Sequence, residues 1–309
     1  MRQHKALRHA PQLQRTAGAI VGSLLLLLAP AAAQEPSTTV DEVEIIATDP
    51  KSEKAISGFV STTSVKSGTG QMGRWDKEVC LSVTGLKPEY ADFIAERIST
   101  EARQVGLVIG APGCKPDLIV IATDNAEQLL ALSVKANQRA FLDDQWTIQE
   151  GRGKLNELIA SDSPVRWWFV AKRVLSDGSA YEQGALVQSM DWGKTGASVR
   201  ADFDHVFVIL DVSRIRTVRF AALADYIAMV SLAQTSPEAE FAGVPTILRL
   251  FADREAGLEP AVGMTDWDRA FLKALYEAPR NAKRITIQER DITRAMRDAL
   301  ASKEQPAGE

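Results

Sequence analysis

The chain has 309 residues, 45% of them hydrophobic and 25% charged, with a formal net charge of −4 and two cysteines. That balance is ordinary for a globular protein, and its acid excess argues against a nucleic-acid partner, whose phosphates need Lys and Arg, and against docking on anionic lipid. Of the three histidines, His4 and His9 fall in an N-terminal leader, which leaves His205 alone and excludes sites built on two imidazoles, the His-Glu-x-x-His zinc hydrolases included.

Residues 1–33 read as three zones: Arg2, Lys5, Arg8 and Arg15 without an acid, an apolar zone at 17–28, and Ala31 and Ala33 ahead of Gln34. A positive start, a short apolar run and small residues at A-x-A spacing define a secretory signal peptide, cleaved here before Gln34. The apolar zone is shorter than the roughly 20 residues of a spanning helix, so no transmembrane anchor is expected after cleavage. The 276 residues beyond it carry a net charge near −8, because the leader holds four of the positive charges. A periplasmic or secreted location follows. Cys80 and Cys114 are then expected to form one disulfide, since both meet an oxidising compartment.

Residues 34–73 read as a flexible leader with short elements: an edge strand at 43–47 and a helix at 52–64 that buries Ile56, Phe59 and Val60. The Gly-rich stretch 67–73 lacks a Gly-Lys-Ser/Thr ending, so it reads as a linker and not as a phosphate cradle. A single domain is expected over 74–301. It opens with a strand at 79–83, a helix from Lys87-Pro88-Glu89 ended by Gly106, and a β-branched strand at 118–122. Strand, helix, strand is a βαβ unit, and Pro early in a helix with Gly after it follows the usual asymmetry of helix ends. A helix at 125–137 capped by Asp124, a helix at 153–160, an aromatic strand at 165–174 and a strand at 203–212 come next, with a Gly- and Ser-rich hairpin or lid at 176–201. The last third is helical: 214–233 with Leu223, Ile227 and Val230 inward, 245–251, 266–277 with Thr265 and Asp268 as a capping box, and 285–300. Residues 302–309 form a polar tail. The class is α+β, a mixed sheet from the first two-thirds packed against helices, with a helical C-terminal third.

This order, a βαβ start, an aromatic strand, the 204–212 strand and a long helix, resembles the catalytic half of zincin-like metalloproteases. In those an edge strand holds the peptide substrate and the next helix carries zinc ligands. Arg74-Trp75-Asp76 with Val79-Cys80, Ala224-Asp225-Tyr226 and the stretch Thr265 to Tyr276 also resemble uncharacterised exported proteins of Alphaproteobacteria. The helix reads Ala224-Asp225-Tyr226-Ile227-Ala228 where a protease places His-Glu-x-x-His, so the resemblance implies a scaffold with no metal and no cofactor.

Weak site candidates remain. Trp167 and Trp168 point to opposite faces of a strand, so one is expected in the core while Trp168 beside Arg166 is a stacking surface. Asp225 and Tyr226 sit on an apolar helix, where Asp225 needs a basic partner such as Arg219. His205 follows Asp204, and the acidic pairs Asp143-Asp144 and Asp202-Asp204 read as solvated charge. No nucleophile elbow of the Gly-x-Ser-x-Gly kind occurs. The expected role is a non-catalytic binding protein for an envelope protein or cell-wall polymer. A carboxylate-dependent hydrolase on glycan or peptide, and a structural or assembly factor of the envelope, stand as alternatives.

Overall fold

The computed structural model describes residues 52–65, 71–142, 147–148, 151–180, 199–215, 218–241, 243–280 and 282–302. The signal segment, the 43–47 strand, the Asp143-Asp144 pair and most of the 176–201 hairpin and polar tail lie outside them.

Helix α1 (Glu53–Thr63) is capped by Ser52, whose hydroxyl accepts from Ala55 N at 3.2 Å. The expected βαβ unit follows as β1 (Leu81–Thr84), α2 (Pro88–Gln104) and β2 (Leu118–Thr123), with β1 and β2 parallel from Leu81↔Leu118. Gly106 ends α2 at φ 82°, a conformation that glycine adopts without steric cost. Helix α3 (Ala126–Ala136) is capped by Asn125, not by Asp124: Asn125 Oδ1 accepts from Gln128 N at 3.0 Å. Helix α4 (Gln138–Phe141), the two-residue strand β3 (Thr147–Ile148) and α5 (Gly151–Ala160) lead to the long strands β4 (Val165–Leu175) and β5 (Val199–Asp211).

The five strands lie in the order β1-β2-β5-β4-β3. Strand β5 runs parallel to β2, while β4 is antiparallel to β5 and β3 to β4. A bulge interrupts the β4–β5 ladder: Val170 opposes His205 and Ala171 opposes Phe203, which leaves Asp204 without a partner in the register. The extra residue puts both Phe203 and Val206 on one face of the sheet.

That face carries the main core. Trp167, Phe169, Phe203, Val206 and Leu210 pack with α1, α2 and the helices of the C-terminal third. Those are α6 (Phe220–Leu232), α7 (Leu250–Glu255), which continues a 3-10 turn at Ile247–Arg249, α8 (Asp266–Glu277) and α9 (Ile285–Ser302). The core takes in α1, upstream of residue 74, because Phe59 stacks within 5.3–5.6 Å of Phe241, Trp267 and Phe271. The expected helix at 214–233 starts only at Phe220. Asp211 first turns the chain, its Oδ1 accepting from Ser213 N at 3.1 Å and Ser213 Oγ at 2.5 Å. Every α6 residue from Ala222 to Leu232 is buried, so its apolar face is the whole circumference and not the stripe Leu223, Ile227 and Val230.

The second face is thinner. Trp168, Val170, Phe207 and Ile209 meet Leu130 of α3, Phe141 of α4 and Leu155 and Leu158 of α5. Ahead of β1, Cys80 forms the disulfide with Cys114, Cα to Cα 5.9 Å, in the loop that enters β2. Asp117 reinforces the junction by accepting from Cys80 N at 2.9 Å and pairing with Lys77 at 3.0 Å. None of the described helices is long and apolar enough to cross a membrane.

Candidate functional site

The residues singled out by sequence are dispersed by the sheet. Trp168 belongs to the thin layer, whereas Asp225 and Tyr226 belong to the thick one on the opposite face. Both tryptophans of β4 are buried, at 5% for Trp167 and 4% for Trp168, so neither is the exposed ring expected. Each has helices to cover it, because the sheet is sheathed on both faces, and each indole N–H is satisfied: Trp167 donates to Thr235 O at 2.9 Å and Trp168 to Phe141 O at 3.0 Å. Arg166, expected beside an exposed ring, is itself buried and donates from Nε to Ser161 O at 3.0 Å.

Asp225 finds its cation on another helix. Arg97 of α2 places Nε 2.8 Å from Oδ1, while Arg219 pairs with Glu259, at 3.9 Å. Asp225 Oδ2 accepts from Met264 N at 2.7 Å, and a Cβ on Gly263 would stand 2.6 Å from that oxygen. The carboxylate thus ties α6 to α2 and to the loop before α8. Tyr226 packs its ring 6.0 Å from Trp167 and 5.1 Å from Phe251, and burial raises its phenol above the ordinary range.

At the bulge, His205 Nδ1 lies 2.8 Å from Asp204 Oδ2, and Lys172 Nζ lies 2.5 Å from Oδ1. Burial alone would raise the Asp204 carboxyl. The hydrogen bonds from His205 and Lys172 outweigh it and hold the group below the usual aspartate range. Asp202 is not solvated either: Arg200 donates to its Oδ2 from Nε at 3.1 Å and from Nη2 at 2.9 Å, and burial still raises its carboxyl. Among the described residues, no group of three His, Cys, Asp or Glu side chains could hold a metal ion. Ala224 and Ala228, at the positions where the resemblance places metal ligands, are fully buried.

A cleft of about 210 Å³ opens elsewhere, along the edge of β4. One wall is α5, through Lys154, Glu157 and Leu158; the other is the segment 234–238 that leaves α6; Trp167, Trp168 and Phe169 form the floor. Among the described residues, main-chain geometry leaves this floor an open sheet edge. Asp211 N donates to Pro164 O at 2.9 Å, so alternate residues Arg166, Trp168 and Val170 turn their peptide groups toward β5. Val165, Trp167 and Phe169 turn theirs outward. The Val165 carbonyl takes a bond from Ser163 Oγ at 2.7 Å. On the outer side β3 pairs only with Ala171 and Lys172, so among the described residues no strand covers Trp167 or Phe169.

An ion triad spans the rim. Lys154 Nζ lies 2.5 Å from Glu238 Oε1 and 2.9 Å from Glu157 Oε2, joining one wall to the other. The hydrogen bonds to Glu238 and then Glu157 hold its ammonium above the ordinary lysine range. Sequence could have flagged Lys154 and Glu157, which stand three apart on a helix, but Glu238 lies 84 residues away. Trp168 is the one sequence candidate that this cleft includes. Comparison of the chain with protein-family models, with curated proteins and with solved structures finds no match in any of the three.

Proposed function

We propose that the chain is an exported, non-catalytic binding protein on a zincin-like scaffold without metal, which holds an extended segment of an envelope protein in the cleft beside β4. The observation that carries this reading is the cleft floor: outward-facing peptide groups of Trp167 and Phe169, flanked by aromatic side chains and walled on both sides. An extended peptide adds to such an edge through main-chain hydrogen bonds, and pockets for alternate side chains give selectivity. The antiparallel pair β4–β3 at one margin of the sheet and α6 as the next helix after β5 support the zincin-like layout. Export to the periplasm or the medium is supported by the three-zoned leader and by the disulfide. A cell-wall polymer is the other occupant weighed; its glycan strands carry no run of backbone peptide groups for an open sheet edge to pair with.

The test is selection of hexapeptides displayed on phage against the signal-free protein and against Ser236→Trp, which fills the cleft. Binding to the first and not to the second is expected. Peptides that bind both alike, or no peptides at all, would remove the cleft as the binding site.

One observation favours a hydrolase instead: Glu157 and Glu238 meet at the mouth of this cleft, near Trp168. Glycoside hydrolysis pairs an ionised carboxylate with a shielded acid. Here the two side chains are 64% and 67% exposed and share one lysine. Release of reducing ends from purified peptidoglycan, lost in Glu157→Gln, would establish this second reading over the first.

A further inference from the structure

We infer that Lys154 is a latch across the cleft, and that the occupant is an extended peptide carrying a lysine or arginine that takes over Glu157 and Glu238. This rests on the peptide reading of the cleft and adds the chemistry of its partner. The latch is the contact that closes the rim from wall to wall: α5 supplies the cation, and the segment after α6 supplies Glu238. Anything that lies along Trp167 and Phe169 must pass beneath this bridge or open it.

Opening it is inexpensive. All three side chains are substantially exposed, Lys154 at 41%, Glu157 at 64% and Glu238 at 67%. Exposed ion pairs contribute little, because water solvates the separated charges almost as well and salt screens them. One cation faces two anions, so the rim keeps a net negative charge even when the latch is closed. An incoming acidic side chain would meet that excess unfavourably. A basic one would replace Lys154 charge for charge, with the released ammonium returned to water. Unlike charges at a rim act mainly on selectivity and on the rate of entry. The edge of β4 accepts any extended backbone, so selection among sequences falls to the rim.

The experiment compares peptides selected from the random hexapeptide library by fluorescence anisotropy on wild type, Lys154→Ala and the Glu157→Gln/Glu238→Gln double variant. All three positions are on the surface, and unchanged urea midpoints confirm folding. Selected peptides are expected to be enriched in Lys or Arg. Their affinity should rise about threefold in Lys154→Ala, where the competitor is gone, and fall about tenfold in the double variant, as expected for solvent-exposed charge pairs. Peptides that are blocked by Ser236→Trp but lack basic residues, or that bind Lys154→Ala no better, overturn the latch and leave the cleft standing. Failure to select any peptide takes both down together.

Discussion

The two faces of the sheet are built to different standards. On the thick side, α6 is enclosed on its whole circumference, and its one carboxylate, Asp225, is held by Arg97 and by Met264 N. On the thin side, α3, α4 and α5 cover the sheet with a small cluster, and the margin between α5 and β4 is left open as the cleft. The acids of the first layer are engaged inside the fold: Asp225 with Arg97 and Met264 N, and Asp268 with Thr246 and Thr265. Those at the rim of the second are weakly committed and free to exchange. The difference separates structural carboxylates from candidate binding ones, because a buried acid needs a partner inside the protein whereas an exposed one is served by water.

The comparison breaks most readily at Asp268. It is fully buried and accepts from Thr246 Oγ1 at 2.5 Å, Thr265 Oγ1 at 2.7 Å, and Ile247 N and Thr265 N at 2.9 Å each. Asp268→Ala strands those donors and removes the capping box, so a loss of about 3–4 kcal/mol is expected in urea unfolding, with peptide binding intact. A binding defect in the folded variant would show that the thick layer does reach the cleft.

Replacing both cysteines by serine releases a loop of 34 residues, and a loss of about 3–4 kcal/mol is expected from the unfolded chain's regained freedom. Asp225→Ala should lose about 3 kcal/mol, toward the low end for a broken buried pair because Arg97 can swing to water. Gly263→Ala forces a methyl onto the same carboxylate and should lose about 1–2 kcal/mol. Loss of binding with no loss of stability in Asp225→Ala would make Asp225 a site residue after all.

The smallest effect concerns acid. Asp204 is held below the ordinary aspartate range by His205 and Lys172, against the pull of burial. Its contribution is complete above the ordinary range, near pH 4, and is lost as pH falls toward its folded value. The stability of Asp204→Asn should therefore fall less steeply than that of wild type below about pH 4, by thermal unfolding in matched buffers. Parallel acid limbs would mean that the His205 and Lys172 contacts do not persist in solution.

Local rules carried much of the fold into the sequence. The βαβ unit, the Pro and Gly that bound α2, the Thr265–Asp268 box and the pairing of the only two cysteines each rest on residues close in sequence or on a choice with one answer. Capping by Asn125 and not Asp124 shows the limit of such rules, since adjacent residues compete for one cap and backbone angles choose between them. Tertiary structure decided the rest. Burial of both tryptophans needed helices on both faces of the sheet, and the partner of Asp225 came from α2, a helix 128 residues earlier as Arg97 counts to Asp225. The cleft is the clearest case. Its floor, walls and latch come from β4, α5 and the segment after α6, which lie far apart in sequence and which no local pattern connects.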